Sequence, residues 1–305
     1  MINNIYKSIN NLPLSVIAIL FMIVSGMFAA SMHCLIRVAA LESHPFQIAF
    51  FRTLFVLIIF LPVVMKSGLK SLYVVNKKLQ FSRAIFGSGA MCCMFYGISI
   101  TELSKATALM FTVPIFSTIL AILFLKEQVG IRRWTAMLVG FMGAIIVIRP
   151  DIQLGLGPFL ILCGSFIWSM SLLIAKKLTK TESNISMTFW QAAGLIPTTL
   201  IVAIPFWSTP NLEQLFLFLL VALTGTITHY CLNAALAKAD ISSLLPLDYL
   251  RLIWSVSLGF IFFNEVPLIT IWIGSAIIIL STSYIAYRQM KKSKQPLINE
   301  LNSNL

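Results

Sequence analysis

Long apolar stretches recur along almost the whole chain, separated by short segments that carry charges, Pro or Gly. An apolar helix of about 20 residues crosses the hydrocarbon core of a bilayer, so each stretch predicts one membrane-spanning helix. The ten predicted spans cover residues 14–36, 45–65, 82–100, 104–125, 131–149, 156–175, 185–206, 214–236, 243–263 and 269–287. The expected fold class is therefore all-α and integral to a membrane.

The chain also matches itself at an offset of 138 residues, which predicts an internal duplication. At this offset Lys126-Glu127 aligns with Asn264-Glu265, and Trp134 aligns with Trp272. We expect one repeat over residues 14–150, a second over 156–288, and cytoplasmic tails at 1–13 and 289–305. Five spans is an odd number, so the second repeat should enter the membrane inverted, as in secondary transporters whose binding site lies between two halves.

Composition supports the membrane interpretation. Apolar residues make up 59% of the chain and charged residues 10%, against roughly 45 to 50% and about 25% in soluble domains. The formal net charge of +12 does not predict nucleic-acid binding, because the basic residues lie in small clusters between apolar stretches and form no basic face.

The basic residues instead predict the orientation. With the N-terminus inside, seventeen of the 22 Lys and Arg residues fall in the inner segments. These are Lys7, Lys66, Lys70, Lys77, Lys78, Arg83, Lys126, Arg132, Arg133, Lys176, Lys177, Lys180, Lys238, Arg288, Lys291, Lys292 and Lys294. Only Arg37, Lys105 and Arg149 fall in the outer segments, and the remaining two, Arg52 and Arg251, lie within spans. The positive-inside rule therefore predicts two cytoplasmic termini in a bacterial inner membrane.

Several motifs carry a family resemblance. Each repeat has an aromatic-rich span ending in Lys126-Glu127 or Asn264-Glu265, and Pro114 precedes Glu127 by thirteen residues. A Gly-rich span runs from Trp134 to Arg149-Pro150, and the segment 246–254, PLDYLRLIW, opens the ninth span. With ten spans in two repeats, the chain resembles the EamA group of the drug/metabolite transporter superfamily over residues 14–288.

The resemblance implies a secondary transporter of a small organic metabolite. Within that superfamily the chain is similar to S-adenosylmethionine uptake proteins of intracellular bacteria, and also to riboflavin importers and to exporters of amino acids or metallophores. Uptake of S-adenosylmethionine is the specific expectation. Export of amino acids or related metabolites and import of riboflavin remain alternatives.

Asp248 and Arg251 lie three residues apart near the start of span nine, so they share a helical face and can pair. Buried charge in a membrane is costly enough to suggest function. Asp248 would bind a cationic group of a substrate, and Arg251 a carboxylate or phosphate. A self-neutralising pair that only fixes helix packing is the equal alternative. Tyr249 between them joins the candidate pathway.

Arg52 within span two has no acidic residue within one helical turn, and we favour pairing across helices over substrate contact. His229, Tyr230 and Asn233 form a polar and aromatic cluster in span eight. A histidine there can relay protons, although interhelical hydrogen bonding is commoner. Further rings could stack on a flat substrate: His33, Tyr96, Trp168, Trp190 and Trp254.

Glu127 and Glu265 occupy equivalent ends of spans four and nine. We expect each carboxylate to hydrogen-bond the turn to its next helix, with proton coupling as the alternative. The five cysteines lie inside apolar stretches without a CxxC pair or a cluster of metal ligands, so we expect neither a metal nor a disulfide framework.

No motif of an enzyme or a cofactor occurs, since the chain lacks GxSxG, a P-loop, HExxH and a dinucleotide fingerprint. An intramembrane enzyme, such as a lipid-modifying transferase, should show a cluster of catalytic side chains at one interface, whereas the ten acidic residues here are dispersed. A channel or membrane scaffold remains a third class. The expected partners are a small metabolite and the lipid bilayer, with a homodimer left open.

Overall fold

The computed structural model describes residues 13–148 and 155–265, and from the region beyond them residues 269–270, 273–274, 276–277, 280–281 and 284. Within these residues the chain forms helices and short connections, without a strand. An all-helical fold follows from the hydrocarbon environment, because a helix satisfies its backbone hydrogen bonds within one segment.

Six helices and a 3₁₀ turn make up the first half. They are α1 (Leu14–Ala39), α2 (Pro45–Ser67), the 3₁₀ turn Leu69–Leu72, α3 (Lys77–Ser99), α4 (Leu103–Met110), α5 (Thr112–Leu125) and α6 (Ile131–Ile148). The second half contains α7 (Leu156–Leu178), α8 (Asn184–Ala203), the 3₁₀ turn Ile204–Phe206, α9 (Leu212–Lys238), α10 (Ile241–Leu244), the 3₁₀ segment Leu245–Leu250 and α11 (Arg251–Phe263).

Polar residues start several of these helices. Asn76 accepts a hydrogen bond from the backbone N–H of Leu79 at the start of α3. Asn211 and Gln214 form a reciprocal capping box at the start of α9. Such caps satisfy N–H groups that have no partner within the helix. These capping residues therefore fix where α3 and α9 begin.

Spans four and nine are broken rather than continuous. Span four is interrupted at Phe111 between α4 and α5. Pro114, three residues later, lacks the N–H that would bond back into α4. Span nine starts with α10 and the tight turns of Leu245–Leu250 before α11 begins at Arg251. Both breaks therefore place irregular backbone inside the helical assembly, where other helices can cover it.

Helix bounds recur at the 138-residue offset throughout the part of the chain that can be compared. α1, α2 and α3 correspond to α7, α8 and α9 with bounds that agree within four residues. The broken span, Leu103–Leu125, corresponds to Ile241–Phe263. The tenth predicted span lies largely outside the described residues, as do both tails, Arg149-Pro150 and Trp272.

The halves pack mainly on each other. α1 runs along α9, and α3 runs along α7, which are equivalent pairs under the offset. At the second crossing a Cβ on Gly97 would lie 2.6 Å from Ile161 Cγ1, so only glycine permits this separation of α3 and α7. The equivalent residues Phe111 and Tyr249 also meet, edge to face, with ring centroids 5.0 Å apart. The interior is therefore shared between the halves.

Within the part of the chain that the structure describes, six helices are long and apolar enough to cross a membrane. These are Leu14–Ala39, Pro45–Lys66, Lys105–Leu125, Leu156–Leu178, Asn184–Phe206 and Leu212–Lys238. α3 does not reach the same hydropathy, and its buried polar residues include Gln80, Arg83 and Ser88. α11 is only 13 residues long because span nine begins with 3₁₀ turns. Length and hydropathy thus support six of the predicted spans within the described ranges, and the tenth span lies largely outside those ranges.

One assignment from the sequence is wrong. Arg83 was expected in an inner connecting segment, but α3 begins at Lys77 and Arg83 is 1% exposed. Its guanidinium is buried among neighbouring helices, so it belongs to the interior charges and not to the orientation signal.

The turns after α5 and α11 have the same unusual backbone. Lys126 has a φ of 56° and Asn264 a φ of 52°, both in the left-handed region. In each turn the N–H of the following glutamate bonds to a carbonyl six residues earlier, in Ala121 and Gly259. A left-handed residue at a helix end is a position where glycine is usual and asparagine is tolerated.

We predict that Lys126→Gly stabilises the protein by up to about 1 kcal/mol, because a left-handed conformation costs a lysine about that much and costs glycine nothing. The measurement is the unfolding temperature of the purified protein in detergent. Asn264→Gly is the matched control and should change the temperature less, since asparagine already tolerates this conformation. An equal or larger gain at Asn264 would contradict this account of the turns.

Candidate substrate cavity

A cavity lies between helices of both halves, beside the broken segment of span nine. Six side chains from the candidate pathway line it: His33 of α1, Arg52 of α2, Trp168 of α7, His229 of α9, and Asp248 and Arg251 of span nine. Polar groups of Ser25, Gln191 and Thr228 lie among them. Residues separated by up to 226 positions in the sequence therefore converge on one space.

Asp248 and Arg251 form the predicted ion pair, with Arg251 Nη2 3.0 Å from Asp248 Oδ2. The pairing is confirmed, but the local structure is a 3₁₀ segment ending at Leu250. Three residues per turn align positions i and i+3 in a 3₁₀ helix, which suits this spacing. The guanidinium also lies 5.8 Å from the ring centroid of Phe111. The pair thus presents both charges to the cavity at the point where regular helix begins.

Arg52 lines the same cavity and is 5% exposed. The expected pairing across helices is not found, since no ion pair of Arg52 occurs among the residues that the structure describes. Its Nη1 donates to the sulfur of Met91 at 3.2 Å, which is a weak acceptor. Its Nε has no hydrogen-bond partner in the described part of the chain.

Arg52 also lies directly against α9. A Cβ on Gly225 would stand 2.8 Å from Arg52 Nη2 and 2.9 Å from its Nε. Glycine at this position therefore gives the guanidinium the room it occupies.

His33 and His229 bring two imidazoles to the cavity wall. The Nδ1 atoms of both are buried and lack a partner in the described part of the chain. His229 meets Trp168 edge to face, with ring centroids 5.4 Å apart. The two rings can therefore offer hydrogen bonds to a bound molecule, and the indole can offer an aromatic surface.

Five methionines complete much of the apolar wall, and the sequence reasoning did not single them out. They are Met22, Met32, Met91, Met94 and Met110. Thioether side chains are flexible and polarizable, so they adapt to irregular ligands and contact aromatic rings favourably. Methionine is common in membrane helices, so only the fold reveals that these five face one space.

Trp190, one of the candidate stacking rings, does not line the cavity: it is 38% exposed, and its indole N–H donates to the Leu72 carbonyl at 2.7 Å. Five other residues of the predicted pathway also lie outside the cavity lining. Tyr230 and Trp254 are each 40% exposed on the outer surface. Tyr96 lies beside His44 and Phe46, with ring centroids at 5.9 and 5.7 Å. Tyr249 is fully buried, and its hydroxyl donates to the carbonyl of Met137. Asn233, the fifth, is buried in a polar network beside the cavity.

That network holds Arg83, a buried charge that the sequence reasoning placed elsewhere. Arg83 Nη2 donates to Gln191 Oε1 at 2.7 Å and to Asn233 Oδ1 at 2.9 Å, and Nη1 donates to the Met187 carbonyl. Asn233 in turn donates to Thr188 Oγ1 at 3.1 Å. Three helices are thereby joined through one guanidinium. Gln191 extends from this network to the cavity.

Glu127 and Glu265 lie away from the cavity, and each carboxylate reaches the opposite half. Glu127 Oε1 accepts the N–H of Ile241, at the start of α10. Glu265 Oε1 accepts the N–H of Leu103, at the start of α4, and pairs with Arg37. Leu103 and Ile241 are themselves equivalent at the offset. The carboxylates do bond turns, as expected, but these turns belong to the partner repeat.

No group of three His, Cys, Asp or Glu side chains suited to a metal ion occurs in the described ranges. The cavity instead combines one ion pair, one further guanidinium, two imidazoles, an indole and several thioethers. This set suits a small organic molecule with both polar and flat apolar parts.

Comparison with known proteins gives a family match across most of the chain. The model of the EamA-like transporter family matches residues 16–149 and again residues 155–287. The two matched segments divide the chain into two similar halves.

Among curated relatives, an S-adenosylmethionine uptake transporter of Rickettsia bellii is 32% identical over 251 residues, which are 81% of this chain and 86% of the relative. A riboflavin transporter of Vibrio cholerae is 35% identical over 63% of this chain and 65% of the relative. A riboflavin transporter of Rhizobium johnstonii is 31% identical over 81% of this chain and 83% of the relative.

A solved crystal structure has a similar fold, with a TM-score of 0.75 and 13% sequence identity. The match covers 90% of this chain and 98% of the other chain. At this identity the likeness concerns the fold alone.

We predict that Gly225→Ala destabilises the protein by about 1 to 3 kcal/mol, because the new Cβ overpacks the site of the Arg52 guanidinium. The measurement is the unfolding temperature in detergent of Gly225→Ala, Arg52→Gln and the double variant. The shorter glutamine should relieve the crowding against Arg52, while the Met32 sulfur, 2.9 Å from the same Cβ, remains. The effects of the two substitutions should therefore be less than additive.

Gly89→Ala is the matched control, since its Cβ would meet Ile167 at an ordinary 3.7 Å. It should leave the unfolding temperature unchanged or raise it slightly, as alanine favours a helix. Additive effects of Gly225→Ala and Arg52→Gln would show that the two residues do not crowd each other.

Proposed function

The chain belongs to the EamA-like transporter family, and from that premise we propose that it is a secondary carrier that takes up S-adenosylmethionine across the bacterial inner membrane. The family and its transporter-named relatives make it a transporter of small metabolites rather than an enzyme. The observation that carries the substrate proposal is the cavity lined by Asp248, Arg251, Trp168 and flexible thioethers.

Several groups of the proposed substrate have a counterpart in this lining. Asp248 can bind the ammonium group and Arg251 the carboxylate of an amino-acid moiety, because a planar guanidinium suits bidentate carboxylate binding. The indole of Trp168 can stack on the adenine ring. The methionine side chains can adapt to the remaining apolar surface. Relatives bearing the S-adenosylmethionine name at 32% identity support this choice.

Riboflavin is the second candidate, favoured by the names of two relatives. Its flat ring suits Trp168, but it has neither an ammonium nor a carboxylate for the Asp248–Arg251 pair. Export of an amino acid or a related metabolite is a third candidate, because such a molecule would use the same pair in the opposite direction of transport.

The proposed architecture is ten spans in two inverted repeats, over residues 14–150 and 156–288, with both termini in the cytoplasm. The recurrence of helix bounds at the 138-residue offset supports the duplication. Glu127 contacts the start of span nine, and Glu265 contacts the start of span four, so these equivalent spans run antiparallel. Antiparallel equivalents are what an inversion requires, and the bias of basic residues supports the orientation.

Alternating access would then come from movement of one half against the other around the cavity. The sequence has no P-loop, so we assign the driving force to an ion gradient or to exchange of one substrate for another.

We predict that the purified full-length protein in liposomes loaded with S-adenosylmethionine catalyses saturable counterflow of the radiolabelled compound. Riboflavin and an amino-acid mixture serve as competitors, and liposomes without protein serve as the control. A carrier exchanges external label for internal substrate, so label should accumulate transiently. Competition by riboflavin alone would favour the second candidate, and no exchange in folded protein would reject S-adenosylmethionine.

A second prediction separates a binding role of the ion pair from a packing role. Asp248→Asn and Arg251→Gln alone should each destabilise the protein by roughly 3 to 5 kcal/mol, because each leaves a buried charge without its partner. The double variant removes both charges and should recover most of that stability.

Transport is the deciding measurement for this double variant. If the pair binds substrate, the double variant regains its unfolding temperature but not its counterflow. Recovery of both properties would mean that the pair only fixes packing. Lys105→Gln provides a control at the surface, where its pair with Glu102 is exposed and should contribute little.

A further inference from the structure

We infer that Arg52 is the residue that selects for a carboxylate on the substrate, and that the cavity therefore prefers carboxylate-bearing molecules to otherwise identical molecules without one. This inference rests on the proposed carrier function and adds a chemical class to it. It also assigns to Arg52 the role that the sequence alone left between helix pairing and substrate contact.

The first step is the charge balance of the cavity wall. Asp248 and Arg251 neutralise each other at 3.0 Å. Arg52 lines the same space and belongs to no ion pair in the described part of the chain. With neutral histidines, these lining residues sum to one positive charge. A carboxylate on the ligand would offset this charge locally, even where the ligand, like S-adenosylmethionine, also carries cationic groups.

The second step is the environment of the guanidinium itself. Arg52 is 5% exposed, its Nε has no partner within the described ranges, and Nη1 has only the sulfur of Met91. Leaving a buried charged donor without an acceptor costs more than leaving a neutral donor unsatisfied. Among the residues that the structure describes, this guanidinium therefore has few hydrogen-bond acceptors.

The third step is the contrast with Arg83, which is equally buried but outside the cavity lining. Its two terminal nitrogens donate to Gln191, Asn233 and the Met187 carbonyl. The fold therefore satisfies the terminal nitrogens of this guanidinium with neutral oxygen acceptors, although its Nε, like that of Arg52, has no partner within the described ranges. The two residues differ at the terminal nitrogens, because Arg52, which faces the cavity, has only the sulfur of Met91 among the described residues.

A carboxylate suits this guanidinium better than a neutral acceptor does. A guanidinium presents planar N–H donors that match the two oxygens of a carboxylate, and such charge-assisted bonds are roughly twice as strong as neutral ones. Arg52 and Arg251 line one cavity, so a carboxylate bound between them would leave Asp248 for the ammonium of the same amino-acid group.

The test measures binding to the purified full-length protein in detergent by the shift of its unfolding temperature with ligand concentration. Two matched pairs differ in the amino-acid carboxylate. S-adenosylmethionine is compared with its decarboxylated form, and methionine is compared with 3-(methylthio)propylamine. We expect the carboxylate-bearing member of a pair to bind the wild type about tenfold to a hundredfold more tightly, as for hydrogen bonds between charged groups.

Variants assign the preference to Arg52. Arg52→Gln should abolish the preference, leaving both members of a pair with similar affinity, while Arg52→Lys should retain part of it because the charge remains. Arg83→Gln removes the same unit of charge outside the cavity lining, so it is the matched control. It should lower the unfolding temperature and keep the preference.

Equal affinities within every pair for the wild type would overturn the inference, as would an undiminished preference in Arg52→Gln. Loss of the preference in Arg83→Gln would also overturn it, because the effect would then come from overall charge. Absent counterflow together with a carboxylate preference in binding rejects the proposed carrier function alone. Counterflow without the preference rejects the role of Arg52 alone.

Discussion

A charged or hydrogen-bonding group inside a bilayer has no water to bind, and the rest of this structure depends on how such groups find partners within the protein. The backbone satisfies the requirement by forming helices. The buried side chains satisfy it in three different ways: Arg83 through neutral acceptors, Arg251 through Asp248, and Arg52 only in part. The cavity lies where this internal compensation is incomplete.

The same requirement explains why spans four and nine can be broken. Backbone that departs from α-helical geometry at Phe111 and over Leu245–Leu250 would be costly against lipid. Here Phe111 and Tyr249 are both fully buried, and they contact each other. Because the irregular segment is covered by protein, it can orient Asp248 and Arg251 towards the cavity instead of towards the bilayer.

Hydrogen bonds between the halves connect the ends of the broken spans, which also contribute residues to the cavity. Each broken span begins at an N–H group that is bonded by a glutamate of the other half, Glu127 at one end and Glu265 at the other. α1 and α3 also pack on α9 and α7 rather than mainly within their own half. A relative movement of the halves would therefore alter these end contacts and the cavity lining together, which is the coupling that a carrier needs.

The sequence by itself determined the helical membrane class, the 138-residue offset and the pairing of Asp248 with Arg251, because these depend on local hydropathy, self-similarity and spacing along one segment.

The sequence did not distinguish Trp168 and His229, which face the cavity, from Trp254 and Tyr230, which face outward. The lipid-facing and the protein-facing sides of these helices are both largely apolar, so periodicity does not show which side is buried. It also misplaced Arg83, and it favoured a pairing of Arg52 across helices over substrate contact, whereas the described residues contain no ion pair of Arg52. Only the tertiary structure decided these points, since the acceptors of Arg83 come from helices more than 100 residues away and the cavity around Arg52 forms where both halves meet.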